Sequence, residues 1–313
     1  MNYHTVAHQL GLLALLLSGV MLIVSGLSLG IEYERAEHIQ WAAVSALFIA
    51  GLIGLVIGAG LWAFGRRRER FLGRKEALLL VSASWFGGAV ISALPFWLWA
   101  LLLRDSGQPH DFESFINCYF EAMSGLTTTG ATVLHDISAV PASLLLWRAF
   151  THWLGGLGIV VLFVAVLPGL GVGGKRLFQI ESPGPAPEGL QPHIRETARW
   201  LWFIYLGLTV AEVAALWAFT PMDGYEALCH TFATLATGGF STQNASIGAF
   251  YHTPAVDGIV IVFMILAGVN FGLYYRLVRG RAALVWRDAE LRVYLAILAA
   301  SVLVITLILA FGG

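Results

Sequence analysis

Two strings decide how this chain is read: Thr128-Thr129-Gly130-Ala131-Thr132 and Thr237-Gly238-Gly239-Phe240-Ser241. Each closes a short apolar segment, 112–126 in one case and 224–236 in the other, and 109 positions separate Gly130 from Gly239. A helix needs roughly 20 apolar residues to cross a bilayer, so segments this short enter a membrane without spanning it. Non-helical backbone at membrane depth is tolerated only where protein buries it or water lines it. The chain therefore repeats one unit: helix, short helix, Gly-bearing strand returning outward, helix.

The composition sets the environment. With 58% hydrophobic and 12% charged residues among 313, and a mean hydropathy of +0.77, the polar surface is too small for a soluble globule. Seven stretches are candidate spans: 6–29, 39–64, 77–103, 142–167, 200–219, 255–277 and 291–311. The expected fold is an all-α polytopic membrane protein of repeated helix–pore-loop–helix units, preceded by two extra N-terminal transmembrane helices. The first stretch reads as an uncleaved helix, because residues 1–9 carry no Lys or Arg where a secretory signal needs a basic region. Cys118 and Cys229 make no metal-binding spacing and read as packed, reduced thiols.

A net charge of −1 says little, but its distribution orients the chain. Arg66, Arg67, Arg68, Arg70, Arg74 and Lys75 follow the second stretch. Lys175, Arg176, Arg195 and Arg199 follow the fourth, and Arg276, Arg279, Arg281, Arg287 and Arg292 follow the sixth. The positive-inside rule puts these three loops and the N-terminus in the cytoplasm, so both Thr/Gly strings face out. Acids occupy the outward segments: Glu32, Glu34 and Glu37, then Asp105, Asp111 and Glu113, then Asp223 and Glu226. They would make a vestibule that concentrates cations; ordinary loop acids and helix-start charges are the plain alternative.

A cation filter replaces the hydration shell of an ion with oxygens, and backbone carbonyls serve when a strand holds them toward an axis. Glycine permits the dihedrals that this requires. The expected ion contacts are the carbonyls of Thr128, Thr129, Gly130 and Ala131 and of Thr237, Gly238, Gly239 and Phe240. Thr127, Thr132, Ser241, Glu121 and His230 are expected to support the filter or line the vestibule. Glu121 and His230 occupy equivalent places, since the same 109-residue interval separates them. One such string alone would pass for a Gly turn; two in register, each after a short apolar segment, would not.

Phe120-Glu-Ala-Met-Ser-Gly-Leu-Thr-Thr-Thr-Gly130-Ala-Thr resembles the first pore loop of the Trk/Ktr superfamily of potassium-uptake proteins, in its TrkH-like branch. Arg148-Ala-Phe-Thr-His-Trp-Leu-Gly-Gly-Leu-Gly158, Phe178-Gln-Ile-Glu-Ser-Pro-Gly-Pro185 and the run from His230 to Ser241 are similar to further family signatures. The resemblance covers nearly the whole chain and implies an ion-translocating subunit for potassium, which is carried as a transported ligand with no covalent cofactor. It also implies a homodimer in the bacterial inner membrane and a TrkA-like cytoplasmic nucleotide-binding regulatory subunit, with no nucleic-acid partner. The family's pore has four repeats. This chain matches two and the first helix of a third, as expected of the N-terminal portion of a longer protein; a natural half-protein is the other reading. The expected organisation is a helix pair at 1–75, a first repeat at 76–170, a cytoplasmic loop at 171–195, a second repeat at 196–280, and a loop with the start of an incomplete repeat at 281–313.

Other residues have competing readings. Glu212 lies inside the fifth stretch, where an unpaired carboxylate is costly, so it pairs, is neutral, or meets a wet cavity. Asn270 could face a cavity below the filter, while the Gly268/Gly272 and Gly54/Gly58 spacings suit close helix packing. Arg148 and His152 could form a ceiling charge by the vestibule, and snorkelling of Arg148 to the interface is the simpler account. Trp97 and Trp99 on the outside, and Trp200, Trp202 and Trp286 inside, fit aromatic belts. The Gly-rich run 169–174 lacks the strand and helix of a phosphate-binding loop, and the Pro-rich stretch 183–192 reads as a semi-rigid connection. Two rival classes are an intramembrane hydrolase using Ser124 or Ser241 with His152 or His230, and a non-conducting structural or regulatory subunit.

Overall fold

The computed structural model describes residues 2–35, 40–67, 74–103, 111–156, 158, 194–250 and 252–311. All regular structure among them is helical. In chain order the main helices are α1 (Tyr3–Arg35), α2 (Trp41–Phe64), α3 (Arg74–Leu102), α4 (Phe115–Leu126), α5 (Ala142–Gly156), α6 (Ile194–Phe219), α7 (Gly224–Leu235), α8 (Pro254–Gly268), α9 (Phe271–Val278), α10 (Ala282–Trp286) and α11 (Ala289–Phe311). Five are long and apolar enough to cross a membrane, and α8 with α9 makes a sixth only if the bent pair is one span. The fourth expected span is helical as far as Gly156; the rest of it, the 169–174 run and the Pro-rich stretch lie outside the described residues.

The first two helices pack as a close antiparallel pair because small residues let their backbones meet. A side chain at Gly58 would press on the Leu15 amide and the Gly11 carbonyl, and one at Gly54 on Ser18. The pair is pinned to the first repeat by Glu32, which is 1% exposed and accepts the Ser143 amide at 3.0 Å. Glu32 is thus a buried fastener at the start of α5 and not a vestibule acid. The core of the first repeat gathers Phe96 and Trp99 of α3, Phe112 before α4 and Trp147 of α5. Trp99 is 2% exposed and edge-on to Phe112, so it packs inside instead of anchoring at an interface. Trp200 and Trp286 are exposed as belt residues should be.

The sixth stretch departs from the expected single span. Helix α8 stops at Gly268, Val269 adopts extended dihedrals, and α9 leaves at 90°. Asn270 causes the restart, its side-chain oxygen accepting the Gly272 amide at 2.9 Å while its amide reaches Glu290 at 3.1 Å. Carbonyls in the last turn of α8 are met by tyrosine hydroxyls, Tyr274 on Leu266 at 2.6 Å and Tyr294 on Ile265 at 3.2 Å. Asn270 is therefore a helix cap at a break, and Gly268 admits the close approach of Tyr294.

Candidate functional site

The two short helices are built alike. Both α4 and α7 have 12 residues, far short of a span, and each begins at a side-chain cap. Ser114 accepts the Ile116 amide, and Asp223 accepts the Glu226 amide. Each helix then runs into its string through the same pair of backbone bonds. Thr128 N donates to Gly125 O at 3.0 Å and Thr129 N to Ser124 O at 2.9 Å; in the second unit Thr237 N donates to Thr234 O and Gly238 N to Ala233 O, both at 2.9 Å.

The dihedrals repeat as well. Thr128 (φ 53°) and Gly130 (φ 75°) are left-handed, as are Thr237 (φ 55°) and Gly239 (φ 85°), while Thr129 and Gly238 between them are not. A β-branched residue in this region is a local cost, tolerated where the surroundings hold it there. The strands also approach one another. A side chain at Gly130 would strike the Gly238 carbonyl, and one at Gly238 the His152 ring.

Side chains behind the strands fix both of them. Glu121, fully buried, accepts the Thr132 hydroxyl at 2.8 Å and the Val133 amide at 2.9 Å. Its Oε1 also receives Arg148 Nε at 2.6 Å, and Arg148 donates from a second nitrogen to the Ser241 carbonyl at 3.0 Å. The guanidinium lies 3.4 Å over the Phe240 ring, which stacks on His152 with centroids 3.8 Å apart. Arg148 is 2% exposed, so neither interfacial snorkelling nor a ceiling charge describes it: one cation fastens both strands to α5. Phe240 contributes its side chain as an anchor, a role that the sequence reading missed. No spacing along the chain signals this contact, since Arg148 and Phe240 lie in different repeats.

In the second unit His230 and Glu226 do the work of Glu121. His230 Nε2 lies 3.0 Å from Ser241 Oγ, and its Nδ1 meets the Glu226 carbonyl at 2.8 Å. The Glu226 carboxylate accepts the Thr242 hydroxyl at 2.5 Å and the Gln243 side-chain amide at 3.1 Å. Glu226 is thus buried in a brace and not a solvated vestibule acid. Ser241, His230 and Glu226 resemble a nucleophile–base–acid series, but Ser241 Oγ receives the Gln243 amide at 3.0 Å and Nδ1 is engaged by a backbone carbonyl. The other proposed nucleophile, Ser124, donates to the Ala131 carbonyl at 2.6 Å. Both serines hold loops.

Beyond the strings, Asn244 donates to Asp136 at 2.8 Å and accepts the Ile137 amide at 2.7 Å, latching together the two loops that follow the strings. The Ser138 hydroxyl, the Asn244 amide and the Ser138 backbone hold the Asp136 carboxyl below the usual carboxylate range. Asp111 accepts the His135 amide at 2.9 Å. Of the expected site residues, Thr127, Thr129, Ala131, Thr132, Thr237 and Gly239 are exposed, Thr128, Gly130 and Gly238 half-buried, and Phe240, Ser241, Glu121 and His230 buried. The Thr127 hydroxyl donates to Met123 O at 2.7 Å and sits 2.8 Å from that of Thr129.

Paired short helices that run into strings with alternate left-handed residues, set among apolar helices long enough to cross a membrane, define a multi-pass membrane protein with a duplicated loop unit. The family model TrkH, described as a cation transport protein, matches residues 43–311, and the chain belongs to that family. It is 40% identical over 313 residues to the Trk system potassium uptake protein TrkH of Escherichia coli K12, covering 99% of this chain and 61% of that one. It is 36% identical over 261 residues to the Trk system potassium uptake protein TrkG of the same strain, covering 83% and 51%. The crystal structure of the potassium transporter TrkH from Vibrio parahaemolyticus superposes with a TM-score of 0.79 at 32% identity, over 99% of this chain and 60% of that one. The chain thus spans about three fifths of these TrkH relatives.

Proposed function

We propose that the chain supplies two pore loops of a potassium-uptake path, with the carbonyls of Thr128, Thr129, Gly130 and Ala131 and of Thr237, Gly238, Gly239 and Phe240 as ion ligands. The observation that carries this reading is the duplicated backbone, left-handed at 128 and 130 and again at 237 and 239. Alternating hand along a strand turns successive carbonyls toward one side, which a regular strand cannot do. The C-terminal ends of α4 and α7 lead into the strands and bring the negative ends of their dipoles to the same place. The Ala131 carbonyl is drawn back by Ser124, so ligation falls first on the three residues before it and on their counterparts.

Potassium as the cargo rests on the names of the relatives. Inward flow needs no chemical step, since a potential contributes about 2.3 kcal/mol per charge per 100 mV. In this reading the chain lies in the inner membrane with its N-terminus cytoplasmic, works as a homodimer with a TrkA-like regulatory subunit, and divides at the boundaries given above. The test is potassium uptake, with sodium as competitor, by the full-length protein carrying Gly130→Val or Gly239→Val. Uptake or discrimination should fall; unchanged values in correctly inserted variants would overturn the assignment.

A further inference from the structure

Four acids are buried among the described residues, and they are treated differently: Glu32 has the Ser143 amide. Glu121 has Arg148, and Glu226 has Thr242 and Gln243. Glu212 on α6 is 0% exposed, and among the described residues neither of its carboxyl oxygens has a hydrogen-bond partner. No Lys, Arg or His pairs with it among the same residues. The Thr231 hydroxyl on α7, also 0% exposed, is equally without a partner. One turn further along α7, Thr234 comes close enough to interact with the Glu212 carboxyl, though not in hydrogen-bonding geometry. A bare carboxylate in such a place is very costly, whereas a neutral acid needs only a local acceptor for its O–H.

We propose that Glu212 is a proton-binding site linked to the cation held by the second loop. Protonated, it offers its O–H to the Thr234 hydroxyl. Ionisation passes the proton to water and leaves a carboxylate, with no other bond changed. The turn of α7 that meets Glu212 is the one that holds the strand, since the Thr234 and Ala233 carbonyls accept the Thr237 and Gly238 amides. A charge behind that turn is best compensated by a cation in the strand. Linkage is reciprocal, so a bound cation favours release of the proton and acid weakens cation binding.

The neighbouring titratable groups are otherwise engaged or of other kinds. Tyr205, on the same helix and felt by Glu212, gives its hydroxyl to the Trp153 carbonyl at 3.1 Å. On α7, Glu226 and His230 brace the loop and Cys229 is a buried thiol. Helix α5 carries Arg148, bound to Glu121, and His152, stacked on Phe240. Asp257 lies at the start of α8; Tyr274, Tyr275 and Arg276 lie on α9, where Tyr274 bonds to Leu266 and Arg276 meets Asp288.

The cation half of this inference rests on the pore reading; the proton half does not. The test is infrared spectroscopy of the full-length protein in phosphatidylcholine bilayers, following the carbonyl stretch of a protonated carboxyl. The band should be lost in Glu212→Gln, should decline in the wild type as pH rises, and should be weaker in potassium chloride than in choline chloride. Potassium affinity in uptake should fall about 5-fold or more on acidification and become insensitive to pH in Glu212→Gln. Identical wild-type and variant spectra at every pH would overturn the proton site, and a band indifferent to potassium would overturn the linkage. Absent potassium uptake by the wild type would remove the pore reading while the spectra still decide the proton site.

Discussion

Arg148 Nε donates to Glu121 Oε1 across 2.6 Å, with the two side chains 3% and 0% exposed. Because the same guanidinium reaches the Ser241 carbonyl and covers Phe240, this ion pair joins the first loop to the second through one side chain. Removing one member of a buried pair leaves an uncompensated charge, typically at a cost of about 3–5 kcal/mol. Arg148→Gln and Glu121→Gln should each lower the unfolding temperature of the detergent-solubilised protein by such an increment, and the double variant should lose less than their sum. Arg148→Lys keeps the charge without the fork, so it should lose the Ser241 contact and relax cation discrimination while retaining most of the stability.

The two central glycines should differ in their tolerance of alanine. At Gly239 the space is open and only the left-handed φ resists, at about 1–2 kcal/mol. At Gly130 the added carbon also meets the Gly238 carbonyl. Under the proposed pore reading, Gly130→Ala should therefore impair potassium uptake by the full-length protein more than Gly239→Ala, and equal effects would count against the close approach of the strands.

Phe240 is held between a cation and an imidazole on one face of α5. Phe240→Leu keeps an apolar side chain but loses both ring contacts, for a loss of about 1–2 kcal/mol. Thermal unfolding measures that loss, and His152→Phe should leave it nearly unchanged because stacking on Phe240 survives.

The Asp136–Asn244 latch should depend on pH. Its carboxyl sits below the ordinary carboxylate value in the folded protein, so the latch is intact above that ordinary value and is lost as pH falls through the depressed one. Protection of the Ile137 and Ser138 amides against hydrogen exchange, corrected for intrinsic rate, should drop in that acid range. Asp136→Asn should lower it at every pH.

At the break between α8 and α9, Asn270→Ala removes a helix cap worth about 1 kcal/mol and the bond to Glu290. Exchange at the Gly272 amide should quicken, while the amides of α7 stay as they are.

Much of the architecture was legible because membrane helices announce themselves by length and apolarity, and because a repeat with a fixed 109-residue interval betrays its own register. The two short helices end where the strings begin, as expected, since glycine and threonine at fixed spacing constrain backbone locally. The 90° break at Val269–Asn270 was not read from the sequence: hydropathy cannot tell one span from two helices at an angle, and Gly268, Asn270 and Gly272, which do interrupt helices, also suit close packing inside a single span. Glu32, Glu226 and Trp99 were misplaced for a related reason. Each looks like a surface residue by type, and only its neighbours make it a buried fastener.

The sequence by itself determined the helical membrane class, the duplicated unit and the glycines at its centre, because these follow from local chain geometry and the cost of unsatisfied backbone in lipid. The tertiary structure alone decided the partners of the buried charges. Glu121 and Arg148 stand 27 positions apart, and Arg148 and Ser241 stand 93 apart; whether such groups meet depends on how helices pack, and no spacing rule along a single helix reaches that far.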